Sequence, residues 1–572
     1  MARVAPSMPF PVSLAAQVRK LARERPRDPA FAVDERVLDW AGYDAAADRL
    51  ARVFLALELA PGERIAVWVP DGTPFHVAYQ AAERCGLVCL GLPPRCGERE
   101  LAHLLTLASA RTLITAPDMP DGPAAERVAR LRDRGIPIEF HLTLSGDAFA
   151  TDAIALDGRA APQAGPGCEG GRIPDPFDVG ARDALSHHLA PRALAAHAVS
   201  LLNTTSGTTG LPKIVIHDQL RWFHFHRLAA DVGHLDERDV FMSALPAPVG
   251  FGLWTAHFTP TLLGAPTVLT RKFDARATID ALERHRVSVL AAVSTQFIML
   301  LESGGFDGAA DGGRALALRA LFTGGEAVPE RQARNFEIRT GASVLQFYGS
   351  NETGAVSATR PEDPPHKRLT TAGRPFAELQ LRLFDAEGRD VTASGRGRPA
   401  VKGGVVSRGY LGAPEANAEL ITPDGWVKLG DLVELDADGY LRVIGRTDDI
   451  IIRGGKNLSA AAIEDGVALH PSVALVAAIG MPDRIFGERA AAYVELRPGA
   501  SLDLDALRAH LKRAEVAREL WPEALVVLPE LPRGVGGKVA KGALREDAKR
   551  RFGDASDEDL QARSRAADRA GD

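Results

Sequence analysis

TTSGTTGLPK, residues 204–213, is the stretch on which the reading of this chain turns. Serine, threonine and glycine crowd into it and a lysine closes it, which is what a phosphate-holding loop requires. Glycines let the backbone come close, amides and hydroxyls donate hydrogen bonds, and Lys213 supplies a point charge. It is not a Walker A loop, because Ile214 follows the lysine and offers no hydroxyl to magnesium. Alone, a Gly/Thr-rich stretch is an ordinary surface loop more often than a site. Its companions decide.

Three further motifs follow in order: FYGSNETG at 347–354, GWVKLGDLVELDADGYLRVIGRTDDIIIRGGKN at 425–457, and LPRGVGGKVAKGAL at 531–544. In this order the chain resembles the adenylate-forming superfamily of acyl-CoA synthetases, firefly luciferases and nonribosomal-peptide adenylation domains. It looks most like the bacterial acyl-CoA ligases among them. The resemblance implies an α/β fold: a large N-terminal domain of α/β subdomains with a small β-barrel-like subdomain, and a small mobile α+β C-terminal domain. The boundaries it suggests are 1–446 and 447–550, followed by a charged tail, 551–572, without sustained apolar periodicity.

Composition agrees with a protein of this kind. A chain of 572 residues is too long for one core, and 46% hydrophobic with 25% charged residues is globular usage. A net charge of −6 leaves no basic excess to neutralise nucleic-acid phosphates. Cys85, Cys89, Cys96 and Cys168 are too few and too clustered for a disulfide framework, and read as buried free thiols. His187-His188 and His224-x-His226 lack partner ligands and read as ordinary polar residues. No export signal opens the chain, and the longest apolar stretch, near 287–301, is interrupted by Ser294, Thr295 and Gln296. A cytoplasmic bacterial enzyme is expected, with no membrane partner; whether it pairs as a homodimer stays open.

From about 12 to 155 helix-like segments (AAQVRKLARER, AADRLARVFLALE) alternate with apolar runs (RIAVWVP, LVCLGLP, RTLIT), the rhythm of a largely parallel sheet. Residues 155–195 lose that rhythm and read as an exposed connection. It returns from 200 to about 375, and short strands fill 376–445.

The resemblance also implies roles. Forming an acyl-adenylate brings a carboxylate onto the α-phosphorus of ATP, so positive charge and donors must gather there. Thr205, Ser206, Gly207, Thr208, Thr209, Gly210 and Lys213 would hold the outer phosphates, and Glu352 matches the Mg2+ ligand, a hard oxygen donor. Asp431 matches the ribose-binding aspartate and Arg446 the arginine beside it. Gly325, Glu326 and Tyr348 fit the adenine pocket. Lys538 matches the lysine that meets the α-phosphate and the acid, while Lys541 reads as a solvated helix lysine. Asp448 falls at the hinge. Gly454, Gly455 and Lys456 would form the tunnel for the pantetheine arm of coenzyme A. The acyl wall would hold Val249, Gly250, Phe251, Trp254, Gln296, Phe297, Gly324 and Phe347. It carries no aspartate to pair an α-ammonium, so the acid is expected to be apolar. Gly250, Gly252, Gly324 and Gly325 in that wall suggest a bulky alicyclic or polycyclic one.

Four departures stand out. Ile214 replaces a glycine, Asn351 a threonine, Leu429 a threonine, and Pro248-Val249 an aromatic-His pair. Ile214 would crowd the phosphates and Asn351 removes a hydroxyl beside Glu352, so slow adenylation is expected. Besides an acid–CoA ligase, three readings follow: an enzyme confined to thioester formation from a supplied adenylate, a ligase that loads a carrier protein, and a non-catalytic binding module. Retention of Glu352, Asp431, Arg446 and Lys538 weighs against the last.

Overall fold

The apolar runs become strands. In the computed structural model, which describes residues 11–120, 122–145, 154–158, 185, 188–205, 211–248, 250–306, 316–325, 328–446, 450–453, 456–483, 486–514, 516–534 and 539–553, Arg64–Trp68, Val88–Gly91 and Thr112–Thr115 pair in parallel and are buried almost throughout. Strands covered on both faces lose the inside–outside alternation, which is why they read as continuous apolar runs. They form the middle of a seven-stranded sheet in the order Ile214–Asp218, Val199–Thr204, Val88–Gly91, Arg64–Trp68, Thr112–Thr115, Phe140–Leu144, Ile154–Gly158, antiparallel only at its two edges.

A nine-stranded sheet lies beside it. Its parallel centre runs Ser343–Ser350, Ala320–Gly324, Val289–Ala291, Phe241–Ser243, Thr267–Leu269, Pro29–Val33, with antiparallel strands Gly354–Ala358 and then Arg374–Pro375 outside one edge and Arg36–Asp39 outside the other. The two helical patterns near the N-terminus are helices Leu14–Glu24 and Trp40–Ala56. Ser13 and Asp39 cap them by accepting from Ala16 N and Gly42 N. The apolar stretch near 287–301 is a buried strand followed by helix Ser294–Glu302, and among the described residues no helix is long and apolar enough to cross a membrane. Cys85, Cys89 and Cys96 are free and buried.

Residues 380–446 form an antiparallel five-stranded sheet, as the short strands predict. Its hairpin Asp431–Leu435/Leu441–Arg446 turns through Asp436, whose carboxylate accepts from Asp438 N (3.0 Å) and Tyr440 N (2.9 Å). The smaller C-terminal domain is a second five-stranded sheet around the long hairpin Val473–Asp483/Gly487–Leu496. Helices Ala460–Val467, Leu504–Arg513 and Lys541–Phe552 cover it.

Three expectations are corrected here. Ile154–Gly158 is the edge strand of a sheet, so the irregular connection starts later than 155; residues 159–184 lie outside the described ones. Lys541 is not a free solvated lysine: its Nζ pairs with Glu464 Oε1 at 2.7 Å. Phe552 is buried at the end of the last helix, so the chain still packs beyond 551; residues 554–572 lie outside the described ones.

Candidate active site

Strands Val199–Thr204 and Ile214–Asp218 run antiparallel into the base of the phosphate-type loop, with Thr204 opposite Ile214. Thr205 N donates to Lys213 O (2.9 Å) and Lys213 N to Thr205 Oγ1 (3.3 Å), which clamps the two ends together. Ser206, Gly207, Thr208, Thr209 and Gly210 lie outside the described residues. Ile214 is fully buried in the core group that contains Trp68, Leu90 and Leu202. Its side chain therefore turns into the core and does not crowd the loop, contrary to expectation.

Glu352 sits in the turn between strands Ser343–Ser350 and Gly354–Ala358. Its amide donates to Ser350 Oγ (3.2 Å) and its carbonyl accepts from Ser407 N (2.6 Å). Tyr410 then brings the charged groups together. Its hydroxyl donates to Glu352 Oε1 at 2.6 Å, and Lys213 Nζ lies 5.0 Å from its ring centroid. Asn417 Oδ1 accepts from Tyr410 N (2.7 Å) and holds the residue in place. One aromatic side chain thus carries a carboxylate at its edge and an ammonium on its face. Sequence reasoning missed Tyr410, since nothing in RGYLG ties it to a glutamate 58 positions earlier.

Behind this turn lies a buried polar chain. Arg221, 5% exposed on helix Gln219–Gly233, donates to His217 Nδ1, to Val405 O and to Asn351 O (2.5 Å). His217 Nε2 meets Asn203 Oδ1 at 2.7 Å, Asn203 Nδ2 donates to Asn351 Oδ1 at 3.2 Å, and Asn351 Nδ2 donates to Thr204 O at 3.2 Å. Burial and the adjacent guanidinium hold His217 well below the usual imidazole range, so it is neutral. Burial brings Arg221 down to about 10, against the opposing pull of Glu352 and Asp218, and it remains a cation at neutral pH.

On the other side of Glu352, Tyr348 O–H donates to Asp431 Oδ2 at 2.8 Å, joining two residues that the sequence placed in separate motifs. Asp431 stands opposite Arg446 in its hairpin. Gly325 follows strand Ala320–Gly324 with φ +78.

The acyl wall is aromatic. Trp254 opens a π-helical turn, Trp254–Phe258, and is 1% exposed. Its ring lies 5.5 Å from Phe225, 5.4 Å from Phe251, 5.2 Å from Phe322 and 5.4 Å from Phe347, all edge to face. The neighbouring glycines open no space. A Cβ on Gly324 would lie 2.2 Å from Phe347 O, on Gly252 2.1 Å from Pro246 O, and on Gly250 2.5 Å from Asn351 Oδ1. At these three positions the missing side chain makes room for a neighbour's oxygen, so they give no ground for a bulky acid. Gln296 and Phe297 are not brought into this group. Gln296 ties its helix to Ala244 O (2.6 Å), and Phe297 packs on Phe336 in a separate part of the core.

Val249, Glu326, Asp448, Gly454, Gly455 and Lys538 lie outside the described residues, as do the side chains of Arg446 and Lys456. Among the described residues no three His, Cys, Asp or Glu side chains gather as a metal cage. A lone carboxylate such as Glu352 beside a phosphate loop fits magnesium, which keeps waters and takes one or two carboxylates together with substrate phosphates.

The AMP-binding enzyme family matches residues 18–411, and the AMP-binding enzyme C-terminal domain matches 462–538. The chain is similar to sulfoacetate–CoA ligase of Cupriavidus necator, 30% identical over 92% of this chain and 96% of that protein. It is 33% identical to a salicylyl-CoA synthase/salicylate adenylyltransferase of a Streptomyces species, over 87% of each. Among solved structures, ATP-bound MatB from Rhodopseudomonas palustris superposes with a TM-score of 0.76 at 25% identity, covering 94% of this chain and 99% of that one.

Proposed function

Since the chain belongs to the AMP-binding enzyme family and is an AMP-forming acid–thiol ligase, we propose that it activates a compact apolar carboxylic acid with ATP and passes it to coenzyme A, carrying out both half-reactions itself. The observation that carries this reading is the Tyr410 junction. It sets an ammonium and a carboxylate on one side chain at the mouth of the clamped loop.

In the first half-reaction an oxygen of the acid attacks the α-phosphorus of ATP, and pyrophosphate leaves. Lys213 and the amides and hydroxyls of 205–210 hold the outer phosphates. Glu352 would hold magnesium, which when bound would draw charge from the phosphate oxygens. Asp431, which has Arg446 across the hairpin and accepts from Tyr348 O–H, would take the ribose, with Tyr348 for the base. Lys538 meets the carboxylate and α-phosphate as charge builds between them. In the second half-reaction the thiol adds to the acyl carbonyl and AMP leaves with the bonding pair. Gly454, Gly455 and Lys456 are assigned to the thiol's approach, and Asp448 to the hinge of the C-terminal domain. Coenzyme A is read ahead of a carrier protein as the acceptor.

The acids named for the relatives differ widely, so the wall must suggest the substrate. Phe251, Phe322 and Phe347 all pack edge to face on Trp254, and a wall so closely set with rings supports a monocyclic or short aliphatic acid. The departures at 214 and 351 do not oppose adenylation. Ile214 packs in the core, and Asn351 is built into a satisfied network. A pyrophosphate-release screen over monocyclic, short aliphatic and polycyclic acids, with and without coenzyme A, tests the reading. Acid-dependent release favouring the smaller acids supports it, and a preference for polycyclic acids removes the assigned class.

A further inference from the structure

We propose that Arg221 is a positioning residue for the ATP half-reaction, acting through His217, Asn203 and Asn351 to lock the Glu352 turn against the base of the phosphate loop. The inference rests on the reaction proposed above, and Arg221, His217 and Asn203 lie outside the four motifs of the chain.

The direction of the hydrogen bonds carries it. A guanidinium only donates, so His217 Nδ1 must accept from Arg221 and the ring proton must sit on Nε2. That proton goes to Asn203 Oδ1, which leaves the Asn203 amide to donate to Asn351 Oδ1. Asn351 Nδ2 is then aimed at Thr204 O. Turning either amide over would set two donors or two acceptors face to face in a buried site, so one arrangement satisfies every group. Arg221 selects it, and closes the circuit by donating to Asn351 O and Val405 O. The result ties Thr204, the residue before Thr205, to Asn351, the residue before Glu352. The base of the loop and the glutamate turn are thereby held in one frame.

Gly250 belongs to the same device. A Cβ there would lie 2.5 Å from Asn351 Oδ1 and 4.0 Å from Asn203 Nδ2, so a side chain at 250 and the amide at 351 exclude each other. Gly250 and Asn351 are therefore a sterically matched pair.

The test uses the full chain and an α,β-methylene ATP analogue, titrated calorimetrically with and without magnesium. The proteins are the wild type and the Arg221→Lys, Asn203→Ala and Asn351→Thr variants, with thermal melts as the check on folding. The magnesium-dependent gain in affinity should fall about tenfold in Arg221→Lys and Asn203→Ala, while affinity without magnesium stays within about twofold. An unchanged gain, or equal losses with and without magnesium, overturns the positioning role. If Arg221→Lys does not fold, Asn203→Ala still decides. The second arm is a cycle: Gly250→Ala should slow adenylate formation about tenfold alone, and by less than about threefold on the Asn351→Thr background. Additive losses overturn the matched pair. Wild-type protein that binds no analogue in the presence of magnesium would overturn the reaction reading, and the inference with it.

Discussion

Replacing Ile214 by glycine, the residue usual at this point in the family pattern, should weaken the protein without speeding adenylation. Ile214 is 0% exposed and packs in the core of the seven-stranded sheet, while its backbone carbonyl accepts from Leu411 N at 2.8 Å. Cutting a buried isoleucine back to alanine removes about 2–5 kcal/mol, cavity included. Glycine inside a strand loses roughly another 0.5–1 kcal/mol to chain entropy. A total of about 2.5–6 kcal/mol, at about 2–4 °C per kcal/mol for a domain of 150–250 residues, corresponds to a midpoint lowered by roughly 5–24 °C. Differential scanning calorimetry at a fixed scan rate reads that change. Single-turnover acyl-adenylate formation, measured well below the melt, reads the chemistry. A midpoint within about 2 °C of wild type together with severalfold faster adenylation would refute the argument. It would mean that the side chain presses on the phosphates after all.

Three further outcomes are expected. Tyr410→Phe keeps the ring beneath Lys213 but removes the hydroxyl bond to Glu352; at about 1.5–3 kcal/mol for a bond to a charged group, adenylate formation should slow roughly 10- to 100-fold in stopped-flow pyrophosphate release. Trp254→Ala removes a side chain held by four aromatic rings, so stability should drop by about 3–5 kcal/mol, and the kcat/KM ratio of bicyclic to monocyclic acids should rise. Burial pushes the Asp71 carboxyl up to about 6, against its bond from Ala247 N. A raised carboxylate pKa makes the folded state hold its proton more tightly, so this group's contribution falls as pH rises from about 4 to 6. Asp71→Asn, which keeps the acceptor, should gain on wild type by up to about 3 kcal/mol across that window in denaturant titrations.

The parts of this molecule that were legible in the sequence are those whose signal is local. Parallel strands such as Arg64–Trp68 announce themselves as apolar runs, and the loop, the glutamate turn and the Gly-Asp pair each carry their own short motif. What stayed hidden depends on distance along the chain. Tyr410 reaches Glu352, Arg221 reaches Asn351, and Phe225 and Phe322 close on Trp254 across separations that no spacing rule covers. Glycines misled for a related reason. At 250, 252 and 324 a missing side chain looked like open space, whereas the fold uses it to admit a neighbour's oxygen. Ile214 misled in the same way: one residue after a surface lysine, strand alternation turns its side chain inward.

Both half-reactions are assigned to this one chain. Rapid-quench measurement with ATP, magnesium and a compact apolar acid tests that assignment most directly, first without coenzyme A and then after its addition. Pyrophosphate and enzyme-bound acyl-adenylate should appear together in the absence of coenzyme A, and the adenylate should convert to acyl-CoA and AMP once the thiol is added. Failure to release pyrophosphate with any acid of the panel, while synthetic acyl-adenylate is still converted to acyl-CoA, would contradict the account and leave an enzyme of thioester formation alone.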